Sequence, residues 1–254
     1  SFLFEFTRGC HTYFLTRMPS PKIIFNAYAE VKPNLIITVP LVVEKVVKKA
    51  ILPKLNTRMM KVALRVPLLN ERIMQTIRRK LMDLFGGNLI ELVIGGAAIN
   101  EEVESLLQRI KFPYTIGYGM TECGPLICYA SSASFKKGTC GRHVDRMTVK
   151  IDSDNPTSIV GEIMVKGMNV MCGYYKNETA SREALGADGW MHTGDMGVMD
   201  ATGNLTIRGR CKNMLLGPNG QNIYPEEIED RMNSLPFVAE SIVTQQEGKL
   251  VALV

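Results

Sequence analysis

Hydrophobic positions in this chain follow two rhythms in succession. Over roughly the first 140 residues, short apolar runs alternate with longer stretches in which apolar residues recur every three or four positions. HTYFLTR (11–17), PNLIITVP (33–40) and LIELVIGG (89–96) read as buried strands. A helical crossover is predicted over 21–30, between the first two. Pro40 opens a predicted helix from 41 to about 54, and an amphipathic helix follows over 70–85, stopped by Gly86-Gly87. Asn100 is placed to cap a helix whose first turn carries Glu101 and Glu102, as the helix dipole favours. Residues 113–116 form the next predicted strand. Such alternation implies an α/β fold with a mainly parallel sheet covered by helices.

The rhythm changes near Gly138. From 141 to 208 apolar and polar residues alternate over short runs, MTVKIDS, GEIMVKG, NVMCGYY and MGVMDATGNLTIRG, with a hairpin loop at 200–203. These predict antiparallel strands in a small barrel or curved sheet, interrupted by a short helix at 178–185. A second change follows Arg210. Pro225 begins a helix, since proline suits the first turn, and a hairpin turning near 247–248 ends the chain. The expected organisation is an α/β part (1–140), a barrel-like part (141–209), a junction (210–212) and the start of a small α+β domain (213–254).

Composition narrows the class. The 254 residues are 46% hydrophobic and carry a mild net charge of +5. Much of that charge lies in 45–80, where eleven Lys and Arg are opposed only by Glu71 inside the stretch and Glu44 at its edge. Solvated helix faces account for this; a basic face against anionic membrane lipid is the sharper alternative. No recognised motif points to nucleic acid. The six cysteines are scattered without a CxxC pair, so neither a zinc site nor a disulfide framework is suggested, and a reducing cytoplasm is expected. The longest apolar run, LIITVPLVV, is too short to span a bilayer and is interrupted by Pro40.

The candidate chemistry sits in two segments. Gly95-Gly96-Ala97-Ala98 follows a predicted strand, where a flat ring can approach the backbone; a tight strand–helix turn explains it as well. In YGMTE, Tyr118 and Gly119 precede Thr121, whose hydroxyl suits a phosphate oxygen, and Glu122, a hard oxygen ligand for Mg²⁺. Asp195, behind Thr193-Gly194, is suited to accept both hydroxyls of a ribose, or to close a β-turn. Arg210 suits a phosphate or ribose oxygen, or a surface ion pair. Lys212 stands at the second change of composition, and Gly220 in the flexible run GPNG.

The combination YGMTE, GWMHTGD, GRCKN and NIYPEEIE, in this order, resembles the adenylate-forming superfamily of acyl-CoA synthetases, adenylation domains and firefly-type luciferases. The resemblance implies a large domain of α/β layers and a β-barrel, hinged to a small mobile domain. By resemblance, Gly96 and Ala97 flank the adenine and acyl groups, with Gly95 beside them. Tyr118 stacks on adenine, with Gly119 next to it. Thr121 holds the α-phosphate, Glu122 binds Mg²⁺, Asp195 binds the ribose diol and Arg210 assists. Lys212 occupies the hinge, and Gly220 lines the pantetheine path. NIYPEEIE and KPNLIITVPLVVEKVVKKAI resemble the fatty-acid CoA ligases in particular. The implied substrates and cofactors are ATP (released as AMP), Mg²⁺, CoA and a fatty acid. The chain shows no Ser/Thr/Gly-rich phosphate loop with lysine and no GxxxxGK[ST]. The family places such a loop upstream and its adenylation lysine later, so this segment alone is expected to be inactive. An adenylation domain loading a carrier protein and a non-catalytic nucleotide-binding paralogue are the alternatives.

Overall fold

The computed structural model describes residues 2–16, 20–217, 221–235, 238, 240–246 and 248–254. The chain packs as two compact units, one of residues 1–99 and 103–115, the other of 100–102 and 116–254. The sequence changes near 140 and 210 both fall inside the second unit.

The first unit begins with a short helix α1 (Phe2–Thr7). Helix α2 (Pro21–Val31) follows, capped by the Ser20 hydroxyl, which accepts from the Ile23 N–H. Of the strand expected over 11–17, residues 11–16 carry no regular structure and are largely exposed, and Arg17 lies outside the described residues. A strand needs a ladder partner for its backbone groups, and residues 11–16 join no sheet. Strand β1 (Leu35–Thr38) leads into α3 (Pro40–Val46). The single helix predicted over 41–54 is broken. It passes through a π-turn (Val47–Ile51) into α4 (Leu52–Leu55), where the Leu52 N–H bonds the Val47 carbonyl. Pro53 lacks an N–H and its ring crowds the carbonyl four residues back, which accounts for the widened turn just before it. Helices α5 (Arg58–Ala63) and α6 (Pro67–Leu84) follow, then β2 (Glu91–Gly95) and α7 (Glu101–Arg109). The basic residues of 45–80 are exposed along these helices apart from half-buried Lys48. No described helix is long and apolar enough to cross a membrane.

Strands β1 and β2 pair in parallel, Leu35 with Glu91 through Thr38 with Ile94. Ile36, Leu92 and Ile94 are buried on one face. Phe85, fully buried, anchors the core, with its ring centre about 6 Å from those of Phe25, Tyr28 and Phe112. Just beyond it the chain turns at Gly86, with φ +96. A Cβ there would meet the Tyr28 carbonyl oxygen at 2.5 Å and the Lys32 Cα at 2.9 Å. The turn lets α6 end against α2.

Strand β3 (Tyr114–Gly119) carries the chain into the second unit. Parallel pairing stops there. Only residues 120–125 separate β3 from β4 (Leu126–Tyr129), too few for a crossover, so β4 returns antiparallel and is joined by β5 (Arg142–His143). A four-stranded antiparallel meander follows: β6 (Met147–Asp152), β7 (Gly161–Gly167), β8 (Met191–Met199) and β9 (Leu205–Arg210). Helix α8 (Glu178–Ala184) lies between β7 and β8. The outer edge of β9 continues onto residues 140–141, where Cys140 N–H bonds the Leu205 carbonyl and Leu205 N–H bonds that of Gly141. The two β layers close in a barrel-like shell around Tyr118, Ile127, Met147, Ile163, Met191 and Leu205. Six free thiols are present; burial pushes that of Cys123 up to about 11.

The final segment forms β10 (Leu215–Leu216), β11 (Asn222–Ile223), α9 (Pro225–Met232) and the hairpin of β12 (Ile242–Gln246) with β13 (Lys249–Leu253). It packs on the meander through Arg208 Nη1 to Glu227 Oε1 (3.2 Å), and Asn213 Nδ2, in the turn after β9, donates to Glu226 Oε1 (2.7 Å).

Two outcomes test this packing. Gly87 shares a positive φ with Gly86, but a Cβ on Gly87 would meet nothing within 4 Å. Gly87→Ala should cost about 1 kcal/mol, the left-handed penalty alone. Gly86→Ala should cost about 1–3 kcal/mol more from overpacking. Chemical denaturation of both variants measures the gap, and equal losses would contradict the close approach. In the β8–β9 hairpin, Asp200 Oδ2 accepts from Lys136 Nζ (2.8 Å), while Oδ1 accepts from the Thr202 hydroxyl (2.7 Å) and the Thr202 and Asn204 N–H groups (both 2.9 Å). The hydrogen bond from Lys136 first, then those from Thr202 and Asn204, hold its carboxyl well below the usual carboxylate range. A carboxylate with a depressed folded pKa stabilises above its unfolded pKa of about 3.9 and loses that contribution as pH falls. Between pH 6 and pH 3, the wild type should therefore lose more Tm than Asp200→Asn. Parallel Tm profiles would refute this.

Candidate functional site

Candidate residues of the first unit lie at the carboxyl end of β2. Gly95 closes the strand, and Gly96 and Ala97 follow in an exposed turn. Beside Gly96 the nearest atom to an added Cβ is Val39 Cγ1, at 4.0 Å. The backbone there is open to a flat group.

In the second unit, β3 ends at Gly119 and turns through a 3₁₀ segment, Thr121–Cys123. Gly119 has no room for a side chain, because a Cβ would collide with the Pro125 carbonyl. Thr121 is exposed. Glu122 is half-buried; its Oε1 accepts from the Tyr174 hydroxyl at 2.9 Å, which raises the Tyr174 pKa. The Glu122 carbonyl accepts from the Met171 N–H at 2.7 Å. The turn is thereby tied to the chain after β7.

Asp195 owes its position to an irregularity between β7 and β8. Glu162 pairs with Met196, and Met164 with His192, so the single residue Ile163 stands opposite Thr193, Gly194 and Asp195. Bulges of this kind re-aim side chains next to functional sites. Gly194, at φ +72, makes the bend that an L side chain would resist. The Thr193 hydroxyl donates to the Ile163 carbonyl (2.7 Å) and accepts from the Asp195 N–H (3.1 Å). Glu162 closes the bulge from the other strand: Oε1 accepts from the Gly194 N–H at 3.0 Å, and Oε2 lies 2.8 Å from His192 Nδ1.

Asp195 is 6% exposed. Its Oδ2 accepts from the Tyr118 hydroxyl at 2.7 Å, and its Oδ1 lies 3.1 Å from Arg210 Nε, on the β9 residue paired with it. Arg210 is the solvent-side partner, its side chain 68% exposed. The Tyr118 ring is itself a core side chain, 7% exposed; burial, then the Asp195 charge, hold its phenol well above its ordinary range. Tyr118, Asp195 and Arg210 thus form one connected set. Lys212 follows Arg210 in an exposed 3₁₀ turn, Cys211–Asn213. Gly220 lies outside the described residues.

The structure adds Glu162, His192 and Tyr174 to the residues singled out by sequence, and gives the Thr193 hydroxyl its role. The three sit in the runs GEIMVKG, GWMHTGD and NVMCGYY, but their contacts depend on a strand register that no single run discloses.

The family model described as AMP-binding enzyme matches residues 1–175. The long-chain-fatty-acid–CoA ligase FadD15 of Mycobacterium bovis is 33% identical over 167 residues, covering 66% of this chain and 27% of its own length. The 2-succinylbenzoate–CoA ligase of Bacillus cytotoxicus is 38% identical over 155 residues, with coverages of 59% and 32%. The O-succinylbenzoate coenzyme A synthetase (MenE) of Bacillus subtilis, solved in complex with AMP, superposes with a TM-score of 0.74 at 24% identity, over 98% of this chain and 46% of that one. The chain therefore spans about a quarter to a third of the length of these curated relatives. With a family model running from residue 1 through both the Gly95–Ala97 turn and YGMTE, and a shared α/β fold beyond it, the chain belongs to the AMP-binding enzyme family.

Proposed function

We propose that this chain is a segment of an ATP-dependent ligase that joins a carboxylic acid to coenzyme A, with a long-chain fatty acid as the carboxylate. The observation that carries the reading is the Asp195 carboxylate, buried on a bulge and oriented by Tyr118 and Arg210. Each carboxylate oxygen keeps a second acceptor site after its first hydrogen bond, so Asp195 is able to take both hydroxyls of a ribose. Arg210 shares its charge between Asp195 and the nucleotide. Gly95, Gly96 and Ala97 admit the adenine and acyl groups, and Tyr118 and Gly119 border the base. Thr121 donates to the α-phosphate, Lys212 marks the hinge, and Gly220 borders the pantetheine path.

The substrate carboxylate attacks the α-phosphorus of ATP, the bond to the β-phosphate breaks and pyrophosphate leaves. The CoA sulfur then attacks the acyl carbon and AMP leaves. This chain's residues contribute by positioning and charge stabilisation. Glu122 would hold Mg²⁺: it is half-buried, its Oε1 accepts from the Tyr174 hydroxyl, and Mg²⁺ ordinarily takes one or two carboxylates plus substrate phosphates. When bound, it would offset phosphate charge. A second reading, 2-succinylbenzoate as the acid, is favoured by the 38% identity to the Bacillus cytotoxicus ligase.

Pyrophosphate release by the full-length polypeptide, assayed with CoA across acetate, benzoate, 2-succinylbenzoate, amino acids and a long-chain acid, separates these readings. The long-chain acid should be preferred. Preference for 2-succinylbenzoate would move the assignment to the second reading, and preference for an amino acid would sink CoA ligation altogether. Asp195→Ala should raise KM for ATP at least about tenfold, the scale of a lost hydrogen bond to a charged group. Glu122→Gln should instead reduce the Mg²⁺-dependent kcat. Wild-type ATP dependence in both variants would refute the nucleotide placement. The 254-residue chain alone, without the phosphate loop, should bind AMP weakly and form no thioester. Robust thioester formation by it would contradict the segment reading.

A further inference from the structure

Bulges hold their shape only when the groups they expose are tied down. Opposite Ile163, the β8 backbone carries three residues where the ladder has room for one, which frees the Gly194 N–H from strand pairing. Glu162 captures that N–H with Oε1 at 3.0 Å and reaches His192 Nδ1 with Oε2 at 2.8 Å. The two donors bracket Thr193 and leave Asp195 as the next residue. The Glu162 side chain is 23% exposed and that of His192 39%, so the clasp is partly shielded from water.

We propose that Glu162 is a positioning residue: it clasps the Gly194 N–H and His192, and so fixes the direction in which the Asp195 carboxylate points. The proposal rests on the reading of Asp195 as a nucleotide ligand, and it gives Glu162 a part in nucleotide affinity without any contact with the nucleotide. The other ties on Asp195 do not replace the clasp. Tyr118 and Arg210 hold the carboxylate, and Thr193 holds the Asp195 N–H. None of them captures Gly194, the residue whose positive φ makes the bend. A carboxylate is suited to the task because it accepts at both oxygens simultaneously. A glutamine keeps one accepting oxygen for Gly194 and offers His192 an amide.

The test is a double-mutant cycle in the full-length polypeptide, read by calorimetric AMP binding and by KM for ATP, with Tm recorded for each variant. Glu162→Ala should weaken AMP binding about tenfold, Glu162→Gln should restore it to within about threefold, and Glu162→Ala added to Asp195→Ala should cost nothing further, since coupled residues are non-additive. KM for the carboxylate should stay unchanged, which a general loss of structure would not allow. Should Glu162→Ala fail to fold, His192→Ala supplies the cycle, with an expected loss of about threefold that also disappears in the Asp195→Ala background. Wild-type AMP affinity in Glu162→Ala beside a weakened Asp195→Ala would overturn the clasp alone. An equal loss in both backgrounds would also overturn it. Wild-type affinity in Asp195→Ala would overturn the nucleotide reading, and the clasp with it.

Discussion

The candidate site depends on one mismatch in a β ladder. Three residues of β8 face one of β7, and the surplus is absorbed by a positive φ at Gly194, a doubly used hydroxyl on Thr193 and a carboxylate reaching across from Glu162. Regular pairing would leave Asp195 in simple alternation with its neighbours. The bulge sets it opposite Arg210 and within 2.7 Å of the Tyr118 hydroxyl. Burying a carboxylate is costly unless it is hydrogen-bonded and paired, and Asp195 at 6% exposure has both kinds of partner. Polar order at this point is purchased with the apolar closure around it, where Ile163, Met191 and Leu205 are fully buried.

Much of this was legible in the sequence where a residue acts through its own backbone or its near neighbours. Prolines at 21, 40 and 225 mark helix starts, Gly86-Gly87 marks the end of α6, and the loop at 200–203 is the hairpin it resembles. The misses have physical causes. HTYFLTR has the composition of a strand, but residues 11–16 join no ladder. The helix after Pro40 reads as continuous because propensity scores residues singly, whereas Pro53 acts on the turn before it. The family motifs pointed to Tyr118, Asp195 and Arg210, and these three do form one set. Glu162 and His192 were not legible as partners, because their meeting is a matter of register, and here the register shifts at the bulge itself.

The residues after Lys212 are held by polar contacts as well as by packing. Arg208 with Glu227, and Asn100 Nδ2 with the Ser234 hydroxyl at 2.7 Å, tie α9 and the turn after it in place, while Asn213 with Glu226 braces the segment internally. Exposed ion pairs such as the first are each worth about 1 kcal/mol or less.

Direct observation of the nucleotide tests the account most sharply. A crystal structure of the full-length polypeptide with AMP should show both ribose hydroxyls within hydrogen-bonding distance of the Asp195 carboxylate, with the β7–β8 bulge unchanged. A ribose bound elsewhere, leaving Asp195 bonded only to Tyr118 and Arg210, would contradict it.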